Sequence, residues 1–366
     1  MTPQQKFAAT RSELSACLIE RDAEIDMILT AMVAGEHALL VGPPGTAKSL
    51  LSDAVTGWIG GRKFSILMTK FTTPEEVFGP VSLAGLKQDV YRRIVTGKLP
   101  EAEVCFLDEV WKSSSAILNT LLTILNERVY HNDGTVIHCP LKLCVAASNE
   151  WPGDQEGGRE LGALFDRFLL RKAVRPIATE RGLDRLLWAP VEPRLSTTLT
   201  PEELTQANAE ASVLPWTEAA KAAFVDILRT AKQEGIVPGD RRCRKSVGVA
   251  QAFAWLNGAH AVEKDHLEIL SHVLWDDPAE QPDKLAKIVG KIANPQAMRV
   301  NSLLMEAEQL CGRTDLHDLA DCATACKKLA EIRGKLIDMP GSKAKLAAEH
   351  VESEVKRIRL ATVEAF

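Results

Sequence analysis

Apolar positions along the chain change their period near residue 200. Before it, three short apolar runs, His37–Val41, Val104–Leu107 and Leu141–Ala147, each end in a polar or glycine-rich stretch. Unbroken runs of this length match parallel strands buried on both faces. Between them, Ser49–Trp58 and Ser113–Asn126 carry apolar residues at helical spacing. This alternation predicts an α/β three-layer sandwich around a parallel sheet. From about Pro201 to Trp275 no strand pattern is found, and Thr217–Lys232 and Arg244–Leu256 read as amphipathic helices. The Pro- and Thr-rich stretch 189–201 is the linker expected between the two regions.

After Trp275 the character changes again. Of 19 aromatic residues, all but Phe366 lie at or before Trp275, and only four of 23 glycines follow it. Apolar residues recur at helical spacing over Val300–Leu310, Leu316–Leu336 and Leu346–Ile358, with Met339-Pro340-Gly341 breaking the last two. Three helices are expected. The domains read as an α/β core over 1–190, a helical lid over 201–278 and a helical appendage over 279–366.

Hydrophobic residues make up 46% and charged residues 25%, which excludes wholesale disorder. A formal charge of −5 argues against nucleic acid held by bulk charge. No apolar run spans a membrane, and the first residues are too polar for a signal peptide, so a cytoplasmic protein is expected. Of the eight cysteines, several lie inside apolar runs; Cys322 and Cys326 lack a nearby histidine pair and read as core. His260, His266 and His272 recur every six residues and do not share a helix face.

The chemistry begins at Gly42-Pro43-Pro44-Gly45-Thr46-Ala47-Lys48-Ser49-Leu50, which follows an apolar strand and opens a helix. Strand, glycine loop, Lys-Ser and helix form the context of a phosphate-binding P-loop. Loop amides hold phosphates, Lys48 neutralises the outer oxygens, and the Ser49 hydroxyl ligates Mg²⁺. Ala47 replaces the usual glycine, which the loop tolerates if that position needs no positive φ. About sixty residues on, Val104-Cys-Phe-Leu107 ends in Asp108-Glu109. Asp108 is the candidate support for Mg²⁺ and Glu109 the general base on water. Asn149, at the tip of the next strand, could read the γ-phosphate. Arg167 and Arg171 sit just before and within a further apolar run, and Arg241-Arg242 begins a helix in the second region. Each is a candidate finger or sensor, with an ordinary ion pair as the alternative.

The run FLDEVWKSSSAILNTLLTILNERVYHNDGTVIHCPLKLCVAASNE, with VGPPGTAKSLL before it and LGALFDRFLLR after it, resembles the MoxR family of AAA+ ATPases. The Ala before Lys48 and the phrases GPVSLAGLKQDVYRRIVTGKLPEAEV and SHVLWDDPAEQ look like its RavA branch. The resemblance implies a Walker A motif at Lys48 and Ser49, Walker B at Asp108 and Glu109, and sensor 1 at Asn149. It also implies a trans-acting arginine finger at Arg167, a second at Arg171, and sensor 2 at Arg241 with Arg242 competing. Two inserts match the clade: one hairpin-like, around Val81–Val95 within a helix, and a hairpin over Arg128–His138. The Asn132-Asp133-Gly134 turn supports the second from sequence alone.

The resemblance further implies ATP and Mg²⁺ as cofactors, a homo-hexamer, and remodelling with a von Willebrand factor A domain protein. The small β-rich module by which RavA binds a lysine decarboxylase finds no strand pattern after residue 278. A nucleic-acid motor and a chelatase-like subunit are the competing classes. The basic run Arg241–Lys245 lacks the aromatic interleaving that the first would use.

Overall fold

The computed structural model describes residues 1–152, 158–189, 192–314, 318–339 and 342–364. Helices α1 (Pro3–Cys17) and α2 (Asp22–Ala34) precede β1 (Ala38–Val41), α3 (Lys48–Trp58) and β2 (Lys63–Leu67). The short helices α4 (Pro74–Phe78) and α5 (Leu83–Leu86) lead to β3 (Val104–Asp108) and α6 (Ser115–Glu127). Then come β4 (Val129–Asn132), β5 (Thr135–His138), β6 (Leu143–Ser148), α7 (Gly158–Arg167), β7 (Leu170–Ala173) and α8 (Glu180–Trp188). The rest is helical: α9 (Pro201–Ser212), α10 (Glu218–Gln233), α11 (Asp240–Leu256), α12 (Gln281–Ala293), α13 (Pro295–Arg313), α14 (Leu319–Ile337) and α15 (Ser342–Glu364).

Five strands form one parallel sheet in the order β2-β3-β6-β1-β7. Every residue of β1 and β6 is buried, so both faces are covered and the expected three-layer α/β architecture stands. Leu39, Ala146 and Leu107 lie in register across β1, β6 and β3. The segments that follow these strands therefore leave the sheet at one edge. The sheet's two outer strands, β2 and β7, carry a weaker apolar signal. Lys63–Leu67 alternates exposed and buried positions, and Arg171-Lys172 interrupts the apolar run of β7.

Two compact units divide the chain, Met1–Leu285 and Ala286–Phe366, with the boundary inside α12. The stretch after α8 is not a free linker. Its residues 190–191 lie outside the described ones, but Leu199 pairs with Ile59 and the Trp58 indole N–H donates to Thr197 Oγ1 at 3.1 Å.

The second unit packs α13, α14 and α15 through residues such as Val300, Cys322, Leu329, Leu336, Val351 and Ile358. Cys322 is core, as its setting implied. Leu316, Pro340 and Gly341 lie outside the described residues. Among the described residues, α12 makes a fourth helix after Trp275 where three were expected.

The two inserts differ from each other. Strands β4 and β5 form the expected hairpin, with Asp133 and Gly134 both at positive φ, as a type I′ turn requires. The segment around Val81–Val95 is instead closed by a single antiparallel bridge, Val81 with Arg93, around the one turn of α5. Asn132 ties the two together: its Oδ1 accepts from Arg93 N at 2.7 Å, and its Nδ2 donates to Arg93 O at 3.0 Å.

Candidate functional site

The loop after β1 is shaped by close approach. A Cβ on Gly42 would meet the Val174 carbonyl oxygen at 2.2 Å, so only glycine fits there. The Thr46 hydroxyl donates to Pro43 O at 2.8 Å and closes the turn. Helix α3 starts at Lys48 with no side-chain cap from Ala47, leaving the first-turn amides of Lys48, Ser49 and Leu50 for an external acceptor. Leu50 offers nothing but that amide, because its side chain turns to solvent. Pro43 and Pro44 are exposed and restrict the loop's φ.

Ala47 departs from expectation. Its φ is +62°, in the left-handed region, so alanine does stand where the fold asks for glycine. That conformation costs an L-residue about 1–2 kcal/mol. Glu109 also sits at positive φ, +53°. Two of the chain's left-handed non-glycine residues thus lie in one site, as strain at functional positions often does.

Lys48 is buried, and its ammonium donates to Gly42 O at 2.7 Å, Pro43 O at 2.8 Å and Asn149 Oδ1 at 3.1 Å. Burial lowers its pKa and the Arg21 charge adds to that, while Asp108 and Glu109 oppose it. Ser49 Oγ donates to Asp108 Oδ2 at 3.0 Å, and the other oxygen of Asp108 accepts from Glu109 N at 3.0 Å. Glu109 Oε2 accepts from Asn149 N at 3.4 Å and pairs with Lys112 Nζ at 3.2 Å. Lys48, Ser49, Asp108, Glu109 and Asn149 therefore form one connected cluster where β1, β3 and β6 end. Nearby Asp53, on α3, has its carboxyl pKa raised by burial and by the Asp108 charge.

The arginines are placed elsewhere. None of Arg167, Arg171 and Arg241 makes a hydrogen bond to residues 42–50, 108, 109 or 149. Arg167, at the end of α7, pairs with Asp166 Oδ2 at 3.1 Å, and its buried Nε has no hydrogen-bond partner among the described residues. Arg241 is exposed, donates to Asn126 Oδ1, and lines a small cavity with Asp166, Arg167, Leu169, Arg242 and Lys245.

Arg171 is set in the interior. Its side chain is fully buried, donates to the carbonyls of Phe165, Phe168 and Trp275, and stacks 3.7 Å over the Phe165 ring. Burial, with Arg242 adding to it, pushes its pKa down to about 9 against the pull of Asp276 and Asp166. A guanidinium held in this way cannot extend to a second molecule. Arg242 is likewise buried, donating to Val273 O at 2.8 Å and Asp166 Oδ1 at 2.7 Å. Of the adjacent pair, Arg241 is the exposed one.

Sequence reasoning missed Arg21. It is buried, and its guanidinium donates to Thr46 O in the loop at 3.1 Å and to Arg175 O after β7 at 2.9 Å. No local pattern announces it, because its partners lie 25 and 154 positions away. His37 is also buried: its Nδ1 accepts from Cys144 N at 3.0 Å and its Nε2 lies 3.2 Å from Leu125 O. Burial holds its pKa well below the ordinary value, with Arg128 and Lys245 adding to the effect. It braces β1 against β6. Among the described residues no cluster of three His, Cys, Asp or Glu could hold a metal, and no helix is long and apolar enough to cross a membrane.

A parallel β2-β3-β6-β1-β7 sheet, with a glycine loop after β1 and an acidic pair at the end of β3, has the architecture of an AAA+ P-loop protein. The chain belongs to the MoxR family: the profile of the MoxR domain in the MoxR-vWA-beta-propeller ternary systems matches residues 5–210, and that of an AAA lid domain matches 222–289. An uncharacterized protein of Methanocaldococcus jannaschii is 37% identical over 358 residues, covering 97% of this chain and 90% of that protein. Chaperone MoxR1 of Mycobacterium tuberculosis is 24% identical over 160 residues, 43% of this chain and 41% of that one. A solved structure from Cytophaga hutchinsonii, described as a proposed ATPase, superposes with a TM-score of 0.63 at 16% identity over 80% of this chain and 95% of that one. At that identity the likeness speaks for the fold.

Proposed function

We propose that this chain hydrolyses ATP with Mg²⁺ in a ring of like subunits and uses the energy to remodel a protein, working with a von Willebrand factor A domain partner. The observation that carries the proposal is the hydrogen-bonded cluster of Lys48, Ser49, Asp108, Glu109 and Asn149 at one sheet edge. Its parts suit phosphoryl chemistry. Free amides and a buried ammonium receive the phosphates. Ser49 Oγ and Asp108 Oδ2, 3.0 Å apart, are the hard oxygen donors that Mg²⁺ prefers. When bound, the ion would neutralise charge building on the phosphates. Glu109 takes a proton from the attacking water, and Asn149 orients that water and the γ-phosphate.

Arg167 and Arg241 share one cavity and make no bond to their own loop, which supports their acting together on a neighbour's phosphate. Such head-to-tail contacts close into rings, and six subunits is the number we propose. The partner class follows the matched family's description, which names a β-propeller protein as well. The RavA-like phrases support a place near that branch. We assign 1–190 to the nucleotide-binding core, 201–278 to the lid and 279–366 to a partner-docking appendage, all in the cytoplasm.

Two substitutions test the central claim. Lys48→Ala should abolish nucleotide binding measured by calorimetry, because phosphate charge then meets only amides. Glu109→Gln should bind ATP normally and lose turnover, since geometry survives while the base does not. Unchanged affinity in the first, or full turnover in the second, removes that residue from its role.

A further inference from the structure

We propose that Arg21 is a positioning residue of the phosphate loop, holding the Thr46–Ala47 peptide so that alanine can stand in a left-handed position; this rests on the P-loop reading above. Arg21 is 5% exposed and makes no ion pair among the described residues. Its donors go instead to three backbone carbonyls: Glu20 O at 2.7 Å, Thr46 O at 3.1 Å and Arg175 O at 2.9 Å. A planar fork with fixed N–H directions can hold three such acceptors at once, and an ammonium cannot hold the same geometry.

The bond to Thr46 O fixes one peptide plane. In a trans peptide the C=O and the following N–H point in opposite directions. Drawing the Thr46 carbonyl toward Arg21 therefore turns the Ala47 N–H away from it, and no acceptor among the described residues meets that amide. This is one of the amides that would face a phosphate. Ala47 holds φ +62°, which glycine adopts freely and alanine does not. Arg21 supplies from outside the loop the restraint that offsets this preference.

The base of Arg21 is itself fixed. The Glu20 carboxylate accepts from Ala178 N at 2.8 Å and Thr179 N at 3.0 Å, and Thr179 Oγ1 donates to it as well. Helix α8 begins at that point, so the strap that anchors Arg21 joins the loop to the segment after β7.

The test is a double-mutant cycle read as affinity for ATP and ADP by calorimetry, using Arg21→Lys, Ala47→Gly and the double variant. Arg21→Lys should weaken binding about tenfold although it keeps the charge, a change of about 1.4 kcal/mol. In the Ala47→Gly background the same substitution should cost less than about threefold, because glycine holds the loop conformation without help. Equal penalties in both backgrounds, or wild-type affinity for Arg21→Lys, would overturn the proposal. A measurement on the unmutated chain stands beside it: amide exchange at Ala47 should be fast without nucleotide and slow with ADP, and no change on ADP addition counts against Arg21. Lys48→Ala serves as the control. If it too binds ATP normally, the P-loop reading has failed, and with it the ground for this one.

Discussion

The glycine-loop end of the sheet and the arginine side of the same unit teach opposite lessons. At the edge, residues from three separate motifs meet within one chain and touch one another: Lys48 bonds Asn149, Ser49 bonds Asp108, and Glu109 bonds the Asn149 backbone. On the other side, four arginines converge on Asp166 and Asp276 or on the cavity beside them, and none reaches that cluster. Two of the four, Arg171 and Arg242, are spent on backbone carbonyls and join α7, β7 and the lid. Residue type and spacing therefore identify a site made of loop amides and carboxylates. They do not separate an arginine that cements from one that acts.

The largest effect that would break this comparison is at Arg167. Arg167→Ala should bind ATP normally and hydrolyse it about 10³-fold more slowly, as loss of an arginine finger does in other NTPases. Mixing it with Lys48→Ala subunits should restore part of the rate, since each then supplies what the other lacks. A mixture that forms rings and stays inactive would place Arg167 among the cementing arginines.

Arg171→Met sharpens the contrast from the other direction. Removing the guanidinium leaves the carbonyls of Phe165, Phe168 and Trp275 unpaired in the interior, at an expected cost of about 3 kcal/mol in denaturant unfolding. Turnover per folded molecule should stay within a few-fold of wild type. A stable, inactive Arg171→Met protein would return the residue to the catalytic set.

The smallest effect is one of pH. His37 is buried neutral, its Nδ1 accepting from Cys144 N, and its folded-state pKa lies well below the ordinary 6.5. The unfolded chain binds a proton there more readily than the folded one, so stability is held above pH 6.5 and lost as pH falls. The loss from this group grows as pH falls below 6.5 toward the lowered folded-state pKa. His37→Gln, measured at pH 7.5 and pH 5, should lose this part of the acid sensitivity; an unchanged slope would show that other groups carry it.

Much of this molecule is determined by sequence alone. The buried strands β1, β3 and β6 are legible because both of their faces are covered and their apolar runs are unbroken. The loop and the acidic pair are legible because phosphate chemistry needs fixed residue types at the ends of such strands. The β4–β5 hairpin is legible because its turn demands two positive φ values, which Asp133-Gly134 can take. Tertiary structure decided the rest. Strands β2 and β7 form because the sheet offers edges, although Lys63 and Arg171-Lys172 weaken their pattern. Ala47 is held left-handed by a loop that must turn there, whatever its residue prefers. Arg21 reaches the loop, and Arg171 the Trp275 carbonyl, across 25 and 104 positions. Local pattern records which conformations a segment prefers and which chemistry it offers. What a long, charged side chain bonds to is settled only when distant segments fold against it, because an arginine's donors will satisfy whichever carbonyl or carboxylate the packing brings within reach.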